Sequence, residues 1–280
     1  MDNSYYVPLG GNADGAAADG FEYFRPTAST ISPWSSDIQH GGPPTGLLMR
    51  ALDRTAPHSA LHFTRVTTEI LGRVGLGTNR VRAQVVRPGR RISMVAAELE
   101  VQQDDRSFRA AARAVAWRLR AHDTSAITDA TYPPLRPTPD ELTVNSGVGP
   151  DDRLGVDWGT NGFIGSVESA VTAGRAGNTP AVWLRPAIDL VEGEKISDIE
   201  SIMTVVDVAN GLGTRLRADE WTWMNTDTTV HFSAVPTGEW LGIDAHLAAG
   251  PEGFGASFAD LYDVDGFIGR SAQTVLLEPR

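Results

Sequence analysis

The chain contains an internal repeat, and this feature constrains its fold more than any other. A helix opened by Pro43 and Pro44, with strand-like segments over 63–119, has a second version: a helix opened by Ser197 and strands over 224–278. Moving the sequence by 161 positions aligns turn and strand residues of the two copies: Thr67 with Thr228, Thr68 with Thr229, Val74 with Val235, Gly77 with Gly238, Gly89 with Gly250, Asp104 with Asp265, Arg109 with Arg270 and Ala111 with Ala272. Because the order of the elements repeats as well, the sequence predicts two similar units in tandem.

Length and composition set the outer bounds. With 280 residues and 41% hydrophobic content, the chain can bury the cores of two packed halves. No segment approaches the roughly 18 uncharged apolar residues of a membrane helix, and the first residues lack the pattern of a secretion signal, so we expect a cytoplasmic protein without a membrane span. The absence of cysteine excludes disulfides, a cysteine nucleophile and thiolate metal ligands.

The formal charge is −11, which disfavours sequence-independent binding to nucleic acid. The charge is uneven, because residues 1–120 carry 15 arginines against 11 acidic residues, a balance of +4 that leaves −15 for the remainder. Two interpretations are open. Either the charged surfaces of the two halves attract each other or are simply solvated, or some of the arginines bind a phosphorylated small molecule.

The composition changes along the chain predict four segments. Residues 1–20 are rich in Gly, Ala and Asp and predict a flexible N-terminal arm, and the proline-rich, acidic residues 121–155 predict a linker or covering loop. The first repeat then occupies 21–120 and the second 156–280. Periodicity and turn residues predict strands over 22–27, 63–71, 78–87, 92–102, 108–119, 163–173, 181–190, 222–232, 240–248, 255–263 and 268–277.

The second helix carries a carboxylate in an unusual place. Ser197 and Glu200 form a capping box, an apolar stripe follows, and Asn210 with Gly211 is a natural helix stop. Asp207 therefore falls in the last turn, at the edge of the apolar stripe, where the helix dipole disfavours a carboxylate by about 0.3 to 1 kcal/mol. Either Asp207 reaches solvent or makes a local helix-end hydrogen bond, or it is a partly buried general base.

Two later strands carry polar residues in predicted core positions. Simple alternation over 224–232 places Asn225, Asp227, Thr229 and His231 on one face, which is unusually polar for a core sheet. Gln273 lies in the last strand beside an apolar run, where a buried amide needs hydrogen-bond partners.

Taken together, these motifs resemble a known family. The chain reads as a helix followed by four strands, given twice, with four sequence motifs in order: His40-Gly41-Gly42-Pro43-Pro44, Asp207-Val208-Ala209-Asn210-Gly211, Asn225 to His231, and Arg270 to Thr274. This arrangement resembles the double-hotdog acyl-CoA thioesterases of the acyl-CoA thioesterase II type over about residues 20–280.

The resemblance implies an α+β double-hotdog fold, in which two tandem repeats each wrap a curved antiparallel sheet around a long central helix. It implies a thioesterase that needs no cofactor or metal and hydrolyses an acyl-CoA to a free acid and CoA, and an assembly that is a dimer of double hotdogs. In the family an Asp, a Thr or Ser, and a Gln bind and activate the attacking water; these carry over to Asp207, Asn225 and Gln273. Asn225 departs from the usual hydroxyl, which Thr226 or Thr228 could supply instead.

The repeat predicts one site per chain. The same shift of 161 places Gln273 on Ala112 and Asn225 on Thr64, so the first half lacks the amide that could hold a water. The first half would then wall the acyl-CoA channel. The substrate-binding candidates are Trp34, His40, Gly41 and Gly42 in the first half and Thr228 in the second. For His40, a loop histidine bonded to backbone is the alternative.

Other functions are less well supported by the sequence. There is no Gly-x-Ser-x-Gly elbow, and the single lysine, Lys195, lies outside any phosphate-binding loop. His58 and His62 straddle a predicted helix end and strand, which favours a surface pair over a metal site. A non-catalytic acyl-CoA or lipid-binding hotdog protein is the main alternative. A hotdog hydratase is less well supported, because the sequence has no Asp and His pair in one loop of the kind that this chemistry uses.

Overall fold

A computed structural model describes residues 2–10, 19–128, 132–148, 161–174 and 179–280. The first half runs through β1 Ser4–Pro8, β2 Glu22–Pro26, β3 Ile31–Ser32, β4 Ser35–Gln39, α1 Gly42–Arg54, β5 Leu61–Ile70, β6 Asn79–Arg87, β7 Ile92–Gln102 and β8 Phe108–Arg120. Short 3-10 turns cover Ala28–Thr30, Ser125–Ile127 and Pro139–Glu141.

The second half repeats this order with additional strands. Its elements are β9 Asn145–Ser146, α2 Gly162–Gly165, β10 Val167–Thr172, β11 Ala181–Pro186, β12 Asp189–Val191, α3 Asp198–Val205, a 3-10 turn Val206–Val208, α4 Ala209–Leu212, β13 Trp221–Asn225, β14 Asp227–Phe232, β15 Leu241–Ala249, β16 Phe254–Tyr262 and β17 Phe267–Pro279. The predicted strand over 163–173 therefore begins as the short helix α2.

One continuous sheet joins the two halves. The first half contributes β2-β6-β7-β8-β5 in that order, and the second continues as β14-β17-β16-β15-β11-β10. The joint is the antiparallel pair β5–β14, in which Thr68 lies opposite Thr228 and Val66 opposite Val230. The predicted tandem repeat is thus built as a single sheet with equivalent strands meeting at its centre.

The helices fill the inside of the curved sheet and pack on each other. Helix α1 buries its first eleven residues, and α3 buries Ile202, Met203 and Val205. The two helices approach so closely that a Cβ on Gly46 would lie 2.1 Å from Thr204 Oγ1. Glycine at position 46 is what permits this contact, because any side chain would push the helices apart.

The second helix was predicted to be one long helix, but it consists of three short pieces. Its start is confirmed, since Ser197 and Glu200 form the expected capping box. At Val206 the backbone tightens into a 3-10 turn that includes Asp207, and α4 continues to Leu212, beyond the predicted stop at Asn210. Two successive β-branched residues crowd the α-helical backbone there, since Val205 ends α3 and Val206 begins the turn.

The N-terminal segment was expected to be a flexible arm, and for Ser4–Pro8 this is wrong. These residues form β1, which pairs antiparallel with β2 and parallel with β12 of the second half. Tyr5 and Tyr6 are completely buried, and their hydroxyls donate to Ser166 O and Gln39 Oε1. Two large aromatic side chains with satisfied hydroxyls outweigh the glycine-rich composition around them. The other part of the predicted arm, residues 11–18, lies outside the described residues.

The strand predicted over 222–232 is interrupted at Thr226, and this break changes which residues face the core. Trp223 and Asn225 point inward before the break, and Thr228 and Val230 point inward after it. The Asp227 carboxylate holds the irregularity by accepting the Thr274 N–H at 3.0 Å. Simple alternation therefore placed Asn225 on the wrong face relative to Thr228, because a one-residue irregularity shifts the phase of a strand.

Residues 132–148, part of the predicted linker or covering loop, lie against the second half. Leu135 is buried beside Trp183, whose Nε1 donates to Pro137 O, and Tyr132 stacks on Phe267. No helix in the described residues is long and apolar enough to cross a membrane.

Candidate active site

The site lies where the first turn of α1 meets the 3-10 turn that follows α3. Asp207, in that turn, is 2% exposed, so it does not reach solvent. The start of α1 faces it closely, since a Cβ on Gly41 would lie 2.6 Å from Asp207 Oδ2. Each half of the chain therefore supplies one wall of the site.

One oxygen of the Asp207 carboxylate is fixed by two donors from the interrupted strand. Asn225 Nδ2 donates to Oδ1 at 2.6 Å, and Thr228 Oγ1 lies 3.3 Å from the same oxygen. Asn225 and Thr228 reach the same carboxylate because the break at Thr226 turns both inward. Of the two threonines considered from the sequence, Thr228 has its hydroxyl at the Asp207 carboxylate, whereas the Thr226 hydroxyl contacts Asp227.

Gln273 completes the cluster from the neighbouring strand β17. Its Nε2 donates to the Asp207 backbone O and to Thr228 Oγ1, both at 3.0 Å. Its Oε1 is buried and has no hydrogen-bond partner among the described residues. An oriented amide with an open acceptor oxygen is suited to hold a water molecule or a substrate donor.

Asn210, which the sequence indicated only as part of a helix stop, orients Asn225. The Gly211 N–H donates to Asn210 Oδ1 at 2.7 Å, which leaves Asn210 Nδ2 to donate to Asn225 Oδ1 at 3.3 Å. The Asn225 amide is therefore turned so that its Nδ2 faces Asp207. No local pattern marks this role, because the two amides are brought together only by the fold.

His40 lies on the other side of the carboxylate. Its Nδ1 is 3.3 Å from Asp207 Oδ2 and also accepts the Gly42 N–H at 3.1 Å. A neutral imidazole nitrogen either accepts from Gly42 or donates to Asp207, so the histidine tautomer selects between the two contacts. Phe163 covers the ring at 4.5 Å between centroids. His40 therefore makes the backbone contact considered from the sequence and also lies beside Asp207.

Burial lowers the pKa of His40, and the nearby Asp207 carboxylate opposes this shift. The unfolded chain then takes up a proton at His40 at a higher pH than the folded chain does. The stability associated with the neutral imidazole is present above about pH 6.5 and is lost as the pH falls.

We therefore expect His40→Asn to reduce the loss of melting temperature between pH 7 and pH 5. His122→Asn is the matched control, because His122 is exposed. Thermal unfolding of the three proteins across this range measures the effect. Parallel curves for the His40 variant and the parent protein would show that protonation of His40 does not affect folding.

Trp34, expected to wall a substrate channel, packs in a neighbouring cluster. It lies edge-on to Trp223 at 5.1 Å, and the Arg280 guanidinium lies over its ring. Trp223 precedes Asn225 by two residues on β13, so Trp34 buttresses the strand that carries a site residue.

The first half lacks the polar cluster at the position that corresponds to Thr228 and Gln273. Thr68, opposite Thr228, is buried, but its hydroxyl has no partner within the described part of the chain. The residue opposite Thr68 on β8 is Ala114, so the counterpart of Gln273 is Ala114 and not Ala112, as a single shift predicted. The irregularity in β5 between Phe63 and Arg65 and the break at Thr226 make one fixed shift inaccurate. Residues 112 and 114 are both alanine, so under either alignment the first half lacks a counterpart of the Gln273 amide.

The arrangement is suited to proton abstraction from water. Oδ1 of Asp207 is occupied by donors, and Oδ2 faces the start of α1, where a helix end favours negative charge. Pro43 and Pro44 have no N–H, and the Thr45 N–H is bonded to Gly41 O. The remaining first-turn donor, the Gly42 N–H, is bonded to His40 Nδ1 and is free only when the proton on that nitrogen faces Asp207.

Both halves of the chain match known family models. Residues 30–119 match a family model described as the acyl-CoA thioesterase N-terminal domain, and residues 139–277 match the acyl-CoA thioesterase C-terminal domain. No curated protein matches the chain.

Solved structures show the same fold. A hot dog fold protein of unknown function from Alicyclobacillus acidocaldarius has a TM-score of 0.68 and 14% identity, covering 96% of this chain and 99% of that one. A tesB protein from Mycobacterium avium subspecies paratuberculosis gives 0.66 and 14%, covering 94% of each chain. The acyl-CoA thioesterase II TesB2 from Mycobacterium marinum gives 0.63 and 13%, again covering 94% of each.

Proposed function

The chain belongs to the acyl-CoA thioesterase family, and from that premise we propose that it hydrolyses an acyl-CoA to a free acid and CoA by direct attack of an activated water. The single observation that supports this most strongly is the buried Asp207 carboxylate, held by Asn225 and Thr228 on one oxygen and facing His40 and the start of α1 with the other.

In this mechanism Asp207 acts as the general base. Its Oδ2 takes a proton from a water that Gln273 Oε1 helps to hold, and the resulting hydroxide attacks the thioester carbonyl carbon. The carbonyl oxygen becomes an oxyanion. The Gly42 N–H at the positive end of α1 stabilises it when His40 Nδ1 carries a proton, faces Asp207 and so leaves this N–H free. The intermediate collapses by breaking the carbon–sulfur bond, and the CoA thiolate recovers the proton from Asp207.

Asn225 has a supporting role in this scheme. Its amide donates to the carboxylate but, unlike a hydroxyl, has no proton it can readily give up. We propose that Asn225 fixes the Asp207 side chain and that the Thr228 hydroxyl, between Asp207 and Gln273, takes the place of the family's usual Thr or Ser. Asn225→Thr then tests whether an amide is required at this position.

The experiment that tests the function is thiol release from acyl-CoA esters of short, medium and long chains, followed with a thiol-reactive dye. The protein has no cysteine, so it contributes no background signal. We expect turnover of at least one ester without added nucleotide or metal. Saturable acyl-CoA binding with no turnover across the panel would instead support a binding protein.

Gln273→Ala should lower turnover by roughly 5- to 30-fold, because one positioning hydrogen bond is worth about 1 to 2 kcal/mol. Acyl-CoA binding should change by only a fewfold, since the substitution copies Ala114 of the first half into the second. Steady-state kinetics and active-site titration measure the two quantities, and the titration should give one site per chain. Gln84→Ala, on an exposed position of β6, is the control. Two equivalent sites per chain would place the chemistry elsewhere.

A further inference from the structure

The hairpin formed by β6 and β7 lies near the edge of the sheet, with its turn at the same end as the end of β8. Strand β2 pairs with β6 only from Asn79 to Val81, so the outer part of β6 has no neighbour on that side among the described strands. Every residue from 84 to 92 is exposed. This segment therefore contributes little to the core, so packing does not explain which residues occur in it.

The hairpin and the end of β8 enclose a basic groove. Its volume is about 700 Å³, and the described side chains that line it are Arg87, Gly89, Arg90, Arg91, Ile92, Leu119, Arg120 and His122. Every ionisable side chain in this lining is basic. In a chain with a formal charge of −11, four arginines without a lining carboxylate are a marked local reversal of charge.

Three of these arginines are available to a ligand. Arg87 is held in place, because its Nη1 donates to Ile92 O at 2.6 Å. Arg90, Arg91 and Arg120 are exposed and make no side-chain hydrogen bond or ion pair with any described residue. Such unpaired guanidinium groups favour phosphate oxygens, which they can bind through two parallel N–H donors.

Exposed aliphatic side chains lie in or beside the groove, because Ile92 and Leu119 line it and Val86 directly precedes Arg87. Val86 is 50% exposed, Ile92 43% and Leu119 40%, and Ile92 and Leu119 are directly opposite each other on β7 and β8. A soluble phosphate ligand would leave these side chains in water. A lipid surface would bury them below the headgroups while the arginines meet the phosphates.

We propose that this hairpin, with the adjoining end of β8, docks the protein on a bilayer that contains anionic phospholipids. The groove would receive lipid phosphates, and Val86, Ile92 and Leu119 would enter the headgroup region. A surface that combines unpaired arginines with exposed aliphatic side chains fits a fluid bilayer, which adapts to its shape, better than a rigid protein partner.

The overall negative charge does not prevent this contact. At physiological ionic strength charges further than about 8 Å from the surface are largely screened, so the local arginines dominate the interaction. Each basic residue near an anionic membrane surface is worth about 1 kcal/mol. The binding should therefore weaken strongly as salt is raised.

The surface is separate from the catalytic cluster. Leu119 lies five residues along β8 from Ala114, which pairs with Thr68 opposite Thr228; at about 3.3 Å per residue this is about 17 Å along the strands. Changes in the hairpin can thus be tested without disturbing Asp207, and vesicle binding can be measured without substrate, independently of the proposed hydrolysis.

The test is flotation of the full chain with vesicles of phosphatidylcholine alone or mixed with phosphatidylglycerol. We expect binding to the mixed vesicles, little binding to phosphatidylcholine alone, and loss of binding at high salt. The triple variant Arg90→Gln, Arg91→Gln, Arg120→Gln should bind at least about tenfold more weakly. The control triple variant Arg25→Gln, Arg109→Gln, Arg215→Gln makes the same change in net charge at exposed positions elsewhere and should bind like the parent protein.

A second variant separates lipid from soluble phosphate. Val86→Ser with Ile92→Ser keeps every arginine, and we expect it to weaken vesicle binding severalfold. Unaltered binding of this variant, together with calorimetric binding of inorganic phosphate that depends on the arginines, would overturn the proposal in favour of a soluble phosphorylated ligand. Failure of the parent protein to bind mixed vesicles, or equal binding by the arginine variant, would also overturn it. Binding to an acidic carrier protein without vesicle binding would identify a protein partner instead.

Discussion

Asp207→Asn should lower turnover of acyl-CoA by at least about 100-fold, because a positioned general base commonly contributes 10² to 10⁴ to the rate. The fold should survive. Asparagine has the same shape, and its side-chain oxygen can still accept from Asn225 Nδ2 and the Thr228 hydroxyl. We expect the melting temperature to stay unchanged or rise slightly, since a buried charge is removed. Thiol release and thermal unfolding provide the two measurements.

Asp104→Asn, at an exposed turn position, controls for the loss of one negative charge. It should retain normal turnover. A folded Asp207→Asn protein with turnover near that of the parent would show that the buried carboxylate is structural, and the proposed mechanism would then fail at its first step.

Gly41→Ala should reduce turnover by about 100-fold, although Gly41 never contacts the substrate in the proposed mechanism. Its φ of −65° permits alanine, so the effect is steric and not a backbone one. The added Cβ would lie 2.6 Å from Asp207 Oδ2, and the carboxylate must move. A displacement of about 1 Å at a reacting group can cost 10²-fold in rate.

Gly72→Ala is the matched control, because no atom lies within 4 Å of the Cβ it would add. Circular dichroism should show that both variants are folded. The effect of Gly41→Ala should nearly vanish when it is combined with Asp207→Asn, since both changes then act on the same group. A full additional loss in the double variant would mean that Gly41 acts by another route.

Much of the fold was predictable because it depends on local patterns. The strands over 92–102 and 108–119 follow from alternation and turn residues, and the start of α3 follows from the Ser197 and Glu200 capping box. Where prediction failed, a non-local contact decided the structure. Tyr5 and Tyr6 form a strand because β2 and, far along the chain, β12 offer partners, and no local pattern reports this.

The site was predictable in its members more than in its geometry. Asp207 and Gln273 could be selected as polar residues in core positions, and both are buried in one cluster. The relation between Asn225 and Thr228 could not be read from alternation, because the Thr226 break depends on the Asp227 carboxylate accepting the Thr274 N–H. Asn210 escaped notice because its role exists only once Asn225 is folded beside it.

The pairing of β1 with β12 has a consequence for synthesis of the protein. Tyr6 leaves the ribosome early, but its partner Val191 follows roughly 185 residues later. At about 5 to 20 residues per second, the interval is about 10 to 40 s. For most of this time Tyr5 lacks its partners Ser166 and Phe163, which both belong to the second half. The first half can pair β1 with β2 during translation, but the other edge of β1 has to wait for β12, and this exposed edge is where a chaperone would have most to protect.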